Sequence, residues 1–257
     1  MEAASPLKQR SQRDGALLHL TLARPKANLL DAAMIAALAA AFGAARSQPQ
    51  LRGVLVDAEG PHFSFGASVA EHVAEHCATL LDSLHALVLA MLGFPVPILV
   101  AVRGQCLGGG LELALAGNLI FASPEAQLGQ PETKLGVFAP AASCLLPRRI
   151  GQPAAEDLLL SGRSLDGIEA KAIGLVDALA EDPALAALAY FDTHLAPKSA
   201  AAIAYALAAV RAPVVADVKR RLAEVTSVYV DRLMRTHDAN EGIAAYIAHR
   251  APRWKHR

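Results

Sequence analysis

The chain has 257 residues, with 24 Lys and Arg against 24 Asp and Glu, and 54% of its residues are hydrophobic. A chain of this length and composition buries a sizeable core, as one large domain or as a core with a smaller module, which excludes intrinsic disorder. Zero net charge provides no global basic field for a polyanion, so nucleic acid is not an expected partner. The longest apolar stretch, 106–122, contains glycines, Glu112 and Asn118, and we interpret it as buried core rather than a membrane span.

The N-terminal residues 1–15 are polar, and they show no apolar stretch of the kind that precedes a signal cleavage site. Cys77, Cys106 and Cys144 are widely spaced and odd in number, without the pairing typical of metal sites. Reduced thiols in the cytoplasm are therefore expected.

The first half of the chain alternates strand and helix patterns. Partly alternating residues 16–23 predict a strand, Asp31 is a candidate N-cap for a helix over 31–46, and 51–57 predicts the next strand. Further along, the patterns predict a helix, a buried strand, a helix after a glycine run and another strand, at 69–92, 97–102, 108–116 and 118–122. Strands separated by helices predict an α/β core with parallel pairing.

From about Pro140 the chain becomes mainly helical. Helices are predicted at 154–160, 166–172, 183–195, 199–211, 214–234 and 237–249, with one late strand at 175–178. We place a boundary near Pro197, followed by a helical C-terminal module that packs on the rest, because no low-complexity linker separates them.

The most informative segment is RGQCLGGGLELALAG, residues 103–117. Glycines at the start of a helix let backbone N–H groups approach an oxygen atom, and the helix N-terminus adds a partial positive charge. Tight packing of helix on strand explains a glycine run equally well. Neither a dinucleotide-binding fingerprint nor a phosphate-binding P-loop is present.

Two carboxylates accompany this segment. Glu112 stands in an otherwise apolar helix start, where burial raises the pKa of a carboxyl toward values useful in acid–base chemistry. Glu132 follows in the loop LGQPETKLG, and the two could bracket one water molecule. The alternative for Glu112 is a helix N-terminal carboxylate that only complements the helix dipole.

Five motifs occur in a characteristic order: RPKAN, HFSFGAS, GQCLGGGLELALAGNLIFAS, GQPETKLG and the ending HRAPRWKHR. Together they resemble the crotonase, or enoyl-CoA hydratase/isomerase, superfamily over essentially the whole chain. The resemblance implies an α/β crotonase (ClpP-like) fold of repeated ββα units. It also implies a core with the acyl-CoA site at 1–197 and a C-terminal helical oligomerisation module at 198–257. The expected assembly is a homotrimer or a dimer of trimers.

The resemblance further implies a carbon–oxygen lyase that hydrates acyl-CoA thioesters. The thioester oxygen would bind in an oxyanion hole formed by the N–H groups of Ala67 and Gly109, and Glu112 and Glu132 would be the catalytic acids. Isomerases of the family commonly lack one of these acids, so the presence of both favours addition of water. No separate cofactor and no metal are expected, since CoA is part of the substrate.

The remaining site assignments also follow from the resemblance. CoA-binding positions are Lys26, Ala27, Ala67, Ser68, Val69, Gly108 and Gly109, and acyl-pocket positions are Phe138, Ala139 and Pro140. Ser68 stands where many members have Asp, and 138–143 replaces a more glycine-rich run. The change at 138–143 follows Glu132 closely and would reshape the acyl pocket for a ring. The resemblance implies a cyclic dienoyl-CoA of anaerobic benzoate degradation, hydrated by 1,4-addition, with a general 2-enoyl-CoA hydratase as the alternative. The basic residues Arg253 and Lys255 either reach the CoA phosphates or form a solvated end.

A remote alternative comes from His72 and His76, which fit the H-x-x-E-H pattern of inverted zinc peptidases. Histidines four residues apart share one helix face, as two metal ligands would. A surface helix rich in Glu and His produces the same string, and no third ligand is apparent. Stoichiometric zinc in the purified protein would favour this alternative.

Overall fold

The computed structural model describes residues 5–69 and 77–257. The strands among these residues form two sheets and are β1 Leu7–Gln12, β2 Leu17–Leu22, β3 Gly53–Ala58, β4 Ile98–Val102, β5 Gln105–Leu107, β6 Leu119–Ala122, β7 Gln127–Gly129, β8 Ser164–Asp166 and β9 Ala178–Leu179. The larger sheet has the order β1-β2-β3-β4-β6-β9, and the smaller has the order β5-β7-β8. In the larger sheet, only the β1–β2 pair is antiparallel.

Helices cover the larger sheet and form most of the second half of the chain. Within the described residues they are α1 Ala32–Ala45, α2 Cys77–Leu92, α3 Gly109–Ala116, α4 Pro140–Ile150, α5 Gln152–Ser161, α6 Gly167–Ala172, α7 Pro183–Tyr190, α8 Ala200–Ser227 and α9 His237–Ile247. Short 3₁₀ turns span Pro131–Leu135 and Leu233–Arg235, and π-helical segments span Phe191–Leu195 and Val228–Arg232. Part of the helix predicted at 69–92 lies outside the described residues.

The sequence explains the layering of the larger sheet. Every residue of β4, ILVAV, is buried, as expected of a central parallel strand with helices on both faces. Side chains that alternate along a strand point to opposite faces. On β3 and β4, Val54 and Val100 accordingly belong to the main core with α1 and α2, whereas Leu55 and Leu99 pack toward Phe191 beyond α7.

The predicted α/β class is confirmed, and repeated units are visible as β1-β2-α1, β4-β5-α3 and β6-β7-α4. Five of these strands and α-helices escaped prediction, namely β1, α4 and the three short strands of the smaller sheet, β5, β7 and β8. Strand β1, LKQRSQ, is a mostly exposed edge strand, so it carries no apolar pattern. Helix α4, PAASCLLPRRI, contains Pro147, which obscures its helical period. The strand predicted at 175–178 was displaced: it forms at Ala178–Leu179, because the N–H groups of Leu175 and Val176 bond to the Ala170 carbonyl.

The prediction of two C-terminal helices at 199–211 and 214–234 was wrong, because α8 runs without interruption through Pro213. A proline removes one backbone donor, and the surrounding alanine-rich sequence continues the helix. The stretch Ala200–Arg235 is long and apolar enough to cross a membrane by length and composition alone, with a hydropathy of 1.6, and 6% of its apolar window is buried. One such helix is weak evidence for a membrane. The division of the chain at residue 197 stays a prediction.

Candidate active site

Two glycine-bearing segments meet beside strand β5 of the smaller sheet. Gly66 and Gly108 have φ angles of 98° and 52°, a backbone region that side chains disfavour. A methyl group on Gly66 would lie 2.8 Å from the Leu107 carbonyl oxygen, and one on Gly108 would lie 2.6 Å from Glu132 Oε1. Glycine is therefore needed at both positions for the two segments and the Glu132 carboxylate to approach one another.

A buried polar network fixes the first segment. The Asn28 side chain donates to the carbonyls of Glu59 and His62, each at 3.0 Å, which ties the RPKAN loop to HFSFGAS. Ser64 Oγ donates to the Asn28 carbonyl at 2.8 Å and accepts from the Gly66 N–H at 3.0 Å. This network fixes the backbone at Gly66, whose peptide bond to Ala67 carries the Ala67 N–H.

The two predicted oxyanion donors lie side by side. A methyl group on Gly109 would lie 3.1 Å from the Ala67 nitrogen, and one on Gly66 would lie 3.2 Å from the Gly109 nitrogen. Gly109 is the first residue of α3, where N–H groups have no intrahelical acceptor. Among the described residues, no hydrogen bond to a backbone carbonyl uses the Ala67 or Gly109 N–H. Both donors are available to one ligand oxygen.

Glu112 is buried, with 3% of its surface exposed, and lies in the first turn of α3. Its Oε1 accepts a hydrogen bond of 2.8 Å from the Ala142 N–H, in the first turn of α4. Burial raises the pKa of Glu112 to about 7, while backbone N–H groups of Ala142 and Ala141 oppose the rise by favouring the ionised form.

Glu132 lies in the 3₁₀ turn Pro131–Leu135 and is partly exposed toward the cavity. Burial among protein atoms, followed by repulsion from Glu112, raises the pKa of Glu132 to about 8, opposed by its own backbone N–H. The buried Gln130 side chain, with its amide nitrogen facing the carboxylate, lies 3.0 Å from Glu132 Oε2. Because the two acids repel each other, the first proton is lost from the pair more easily than the second.

The acids line an inner cavity of about 70 Å³. Ala67, Gly108 and Gly109 line one part, and the predicted acyl-pocket residues Phe138, Ala139 and Pro140 line another. A wider outer channel shares Phe65, Ala67, Val69, Pro131 and Leu135 with this cavity and continues past Ser68. The arrangement suits a ligand with a small reacting group inside and a long chain outside.

The predicted residues are not all brought together. Lys26 and Ala27 line neither the inner cavity nor the outer channel, although the Ala27 carbonyl accepts from the Phe65 N–H at 2.9 Å. Sequence reasoning missed Gln130, Lys134 and Tyr229. Gln130 stands two positions before Glu132 in GQPE, which was a usable signal, whereas Tyr229 joins the cavity only through the tertiary fold.

No group of three or more potential metal ligands is arranged to hold an ion within residues 5–69 and 77–257. His72 and His76, the pair behind the zinc alternative, lie outside the described residues.

A sequence model of the enoyl-CoA hydratase/isomerase family matches residues 12–257. The chain belongs to this family. Cyclohexa-1,5-dienecarbonyl-CoA hydratase of Thauera aromatica is 60% identical over 256 residues, which cover 100% of this chain and 99% of that protein. Human mitochondrial methylglutaconyl-CoA hydratase is 32% identical, and the match covers 89% of this chain and 70% of that protein.

Solved structures of the family have the same fold. An enoyl-CoA hydratase from Mycobacterium avium subsp. paratuberculosis superposes with a TM-score of 0.85 at 26% identity, covering 97% of this chain and 98% of that one. An enoyl-CoA hydratase/isomerase from Pseudoalteromonas atlantica superposes with a TM-score of 0.83 at 28% identity, covering 97% and 99%. The crotonase fold predicted from the motifs is thereby confirmed.

Proposed function

We propose that the protein adds water to cyclohexa-1,5-diene-1-carbonyl-CoA and forms 6-hydroxycyclohex-1-ene-1-carbonyl-CoA, as a hydro-lyase of anaerobic benzoate degradation. The observation that carries the proposal is 60% identity, over essentially both full chains, to a hydratase of that substrate. The cavity supports it because both candidate acids and both candidate oxyanion donors line one space.

The thioester carbonyl oxygen accepts hydrogen bonds from the N–H groups of Ala67 and Gly109. As water attacks, negative charge moves onto this oxygen, and donors that are already oriented stabilise it. Removing one such donor from an enzyme typically lowers the rate by about 10²-fold to 10³-fold.

The two acids divide the proton transfers. Glu112 is the base, because two backbone N–H groups favour its ionised form, and Glu132 is the acid, because the charge of Glu112 favours its protonated form. Glu112 removes one proton from water as the oxygen bonds to the ring carbon β to the thioester.

The electron pair of the attacked double bond moves into the conjugated system. Glu132 then protonates the far carbon of the other double bond, which completes a 1,4-addition. Proton return from Glu112 to Glu132 restores the starting state.

The remaining predicted parts belong to the same proposal. Phe138, Ala139 and Pro140 provide apolar contact for the ring, and Ser68 and Val69 contact CoA in the outer channel together with Lys134, which also lines it. Lys26 and Ala27 remain proposed CoA contacts. No cofactor beyond the CoA of the substrate is needed for this chemistry.

Self-association is proposed through the C-terminal region. The exposed apolar residues of α8, which include Tyr205 and Val210, support self-association, and the assembly proposed is a trimer or a dimer of trimers. A cytoplasmic location without membrane attachment is proposed from the sequence, whose residues 1–15 are polar. The molar mass in solution tests the assembly.

The function is tested by supplying cyclohexa-1,5-diene-1-carbonyl-CoA and crotonyl-CoA in parallel and identifying the products by mass spectrometry and NMR. We expect the ring thioester to be hydrated with the higher kcat/KM. A higher kcat/KM with crotonyl-CoA would instead favour a general 2-enoyl-CoA hydratase on the same site. Stoichiometric zinc, with hydrolysis of a peptide and no hydration, would favour the peptidase alternative.

A further inference from the structure

Tyr229 lines the inner cavity from a distant part of the chain. It lies in the π-helical segment Val228–Arg232 that follows α8, and only 1% of its surface is exposed. Its ring packs edge-on against Phe138, with centroids 5.3 Å apart, and it lines the same cavity as Glu112 and Glu132. A π-helical turn within an α-helical stretch often marks a functional position.

The Tyr229 hydroxyl is buried and has no hydrogen-bond partner among the described residues. A buried hydroxyl without a partner is unfavourable, so such groups normally bond to protein or to a ligand. Its cluster is mostly apolar, with Leu81, Val137 and Ile243 among its members, and the thiol of the neighbouring Cys77 is a weak hydrogen-bonding group. A ligand in the cavity that Tyr229 lines can supply that partner.

The hydroxyl stays protonated in this setting. Burial, and then the neighbouring Cys77, Glu132 and Glu112, raise the pKa of Tyr229 well above its usual range. A neutral tyrosine hydroxyl both donates and accepts a hydrogen bond. Its role is therefore binding of a polar atom rather than proton abstraction.

The proposed hydration leaves one polar atom without an assigned partner. The diene ring is a hydrocarbon, and the attacking water gives only one of its two hydrogens to Glu112. The other hydrogen stays on the oxygen and becomes the hydroxyl hydrogen of the product. We propose that the Tyr229 hydroxyl binds this oxygen, as water before addition and as the ring hydroxyl afterwards. The inference rests on the proposed function and adds the residue that distinguishes a hydroxylated ring from a plain one.

The test compares two thioesters that differ by that hydroxyl: 6-hydroxycyclohex-1-ene-1-carbonyl-CoA and cyclohex-1-ene-1-carbonyl-CoA. Dissociation constants are measured by calorimetry in the Glu132→Gln background, to prevent turnover, with and without Tyr229→Phe. Phenylalanine keeps the ring packing on Phe138 and removes only the hydroxyl. Tyr190→Phe, at the end of α7, is the matched control, because its ring also packs edge-on against a phenylalanine, Phe121, and lines neither the inner cavity nor the outer channel.

We expect Tyr229→Phe to weaken binding of the hydroxylated thioester about tenfold, which corresponds to ~1.4 kcal/mol. Binding of the plain thioester should change less than twofold, and Tyr190→Phe should change the affinity for neither thioester. With Glu132 intact, Tyr229→Phe should also lower kcat for hydration about tenfold.

Equal weakening of both thioesters would show a merely structural role and overturn the inference, and so would unchanged binding of both. Failure of the unmodified protein to hydrate the dienoyl-CoA is a separate result. It would overturn the proposed function, whereas selective loss of hydroxyl binding would still establish the role of Tyr229.

Discussion

The N-termini of α3 and α4 both point into the inner cavity, and they are used differently. Neither helix has a side-chain cap, since the N-cap residues are Gly108 and Ala139. At α3 the Gly109 N–H is left open. At α4 the Ala142 N–H is occupied by Glu112 at 2.8 Å. The partial positive charge at the start of α3 is thus available to a ligand oxygen, whereas that at the start of α4 stabilises the Glu112 carboxylate.

The role of each helix N-terminus therefore depends on what it contacts and not on its residue types. The N-terminus of α4 contacts Glu112 and stabilises the ionised form of this base. The open N-terminus of α3 stabilises the negative charge that develops on the thioester oxygen during the reaction. Glu132 has no helix N-terminus of its own beyond its short turn, and its nearest fixed partner is the amide of Gln130. The protein therefore stabilises negative charge to different extents at three places: Glu112, Glu132 and the position of the thioester oxygen.

The largest expected effect comes from neutralising either acid. Glu112→Gln keeps an oxygen that accepts from the Ala142 N–H but cannot remove a proton from water, and Glu132→Gln cannot protonate the ring. Each should lower kcat by about 10²-fold to 10⁴-fold, the usual contribution of acid–base catalysis. Initial rates of hydration with the dienoyl-CoA measure the loss.

Thioester binding should survive both substitutions, because the oxyanion donors are unchanged, and equilibrium binding of cyclohex-1-ene-1-carbonyl-CoA checks this. Glu156→Gln, on the exposed face of α5, is the matched control and should retain full activity. Retention of most of the activity by either catalytic-site variant would contradict the division of proton transfers.

Closing the open N-terminus should have the next largest effect. In Gly109→Ala the new methyl group would lie 3.1 Å from the Ala67 nitrogen and 3.4 Å from Ala67 Cβ, in the space between the two donors. We expect kcat/KM to fall by about 10²-fold to 10³-fold, as for loss of an oxyanion donor.

Gly43→Ala is the control for Gly109→Ala, because a methyl group at Gly43 in α1 would meet nothing within 4 Å. That variant should keep its activity and gain about 0.5–1 kcal/mol in free energy of unfolding, since alanine favours a helix interior. Equal activity of the two variants would refute the role of Gly109.

The pH dependence should follow the pKa values of the two acids. Activity needs ionised Glu112 and protonated Glu132, so it should peak between pH values of about 7 and about 8. Below the peak, kcat should fall about tenfold per pH unit as Glu112 gains a proton, and above it as Glu132 loses one. Steady-state rates from pH 5.5 to 9.5 give the profile, and a flat profile would contradict it.

The same shifts affect stability in a fixed direction. Both pKa values lie above 4.5, the ordinary value of a glutamate, so the folded protein binds protons that the unfolded chain has released. The contribution of the pair to stability is therefore fully present below about pH 4.5 and is lost as pH rises through about 7 and 8. Removing the carboxylates should make unfolding less sensitive to pH in this range.

The sequence predicted the α3 side of this comparison far better than the α4 side. Glycines at 108–110 stand at the start of an apolar helix, so local chemistry revealed the glycine run together with Glu112, and Glu132 in the loop that follows. The motif resemblance then supplied Ala67 and Gly109 as the oxyanion donors and assigned catalytic roles to both acids, and all four residues line one cavity.

The α4 side depends on contacts between distant segments. Ala142 has no side-chain signal, and its importance lies in a backbone N–H that reaches Glu112 thirty positions earlier. Tyr229 enters from beyond α8, where the sequence predicted a helix interrupted near Pro213. A local sequence pattern does not show how close two distant segments come, or whether a helix continues through a proline. The roles of Ala142 and Tyr229 therefore become visible only in the folded structure.

The smallest expected effect comes from removing the side-chain contact between Gln130 and Glu132. Gln130→Met keeps a similar volume in a buried position and removes the amide that lies 3.0 Å from Glu132 Oε2. Without it the proton donor is less well oriented, and we expect kcat to fall about fivefold, close to the ~1 kcal/mol of one hydrogen bond, with KM unchanged. The alkaline limb of the pH profile should also move, because the amide contacts the group that titrates there, whereas a purely structural change would leave that limb in place. Gln152→Met on the exposed start of α5 is the matched control and should alter neither quantity. If Gln130→Met lowered kcat while the alkaline limb stayed fixed, the amide would not act through Glu132. The 3₁₀ turn Pro131–Leu135 alone would then position Glu132.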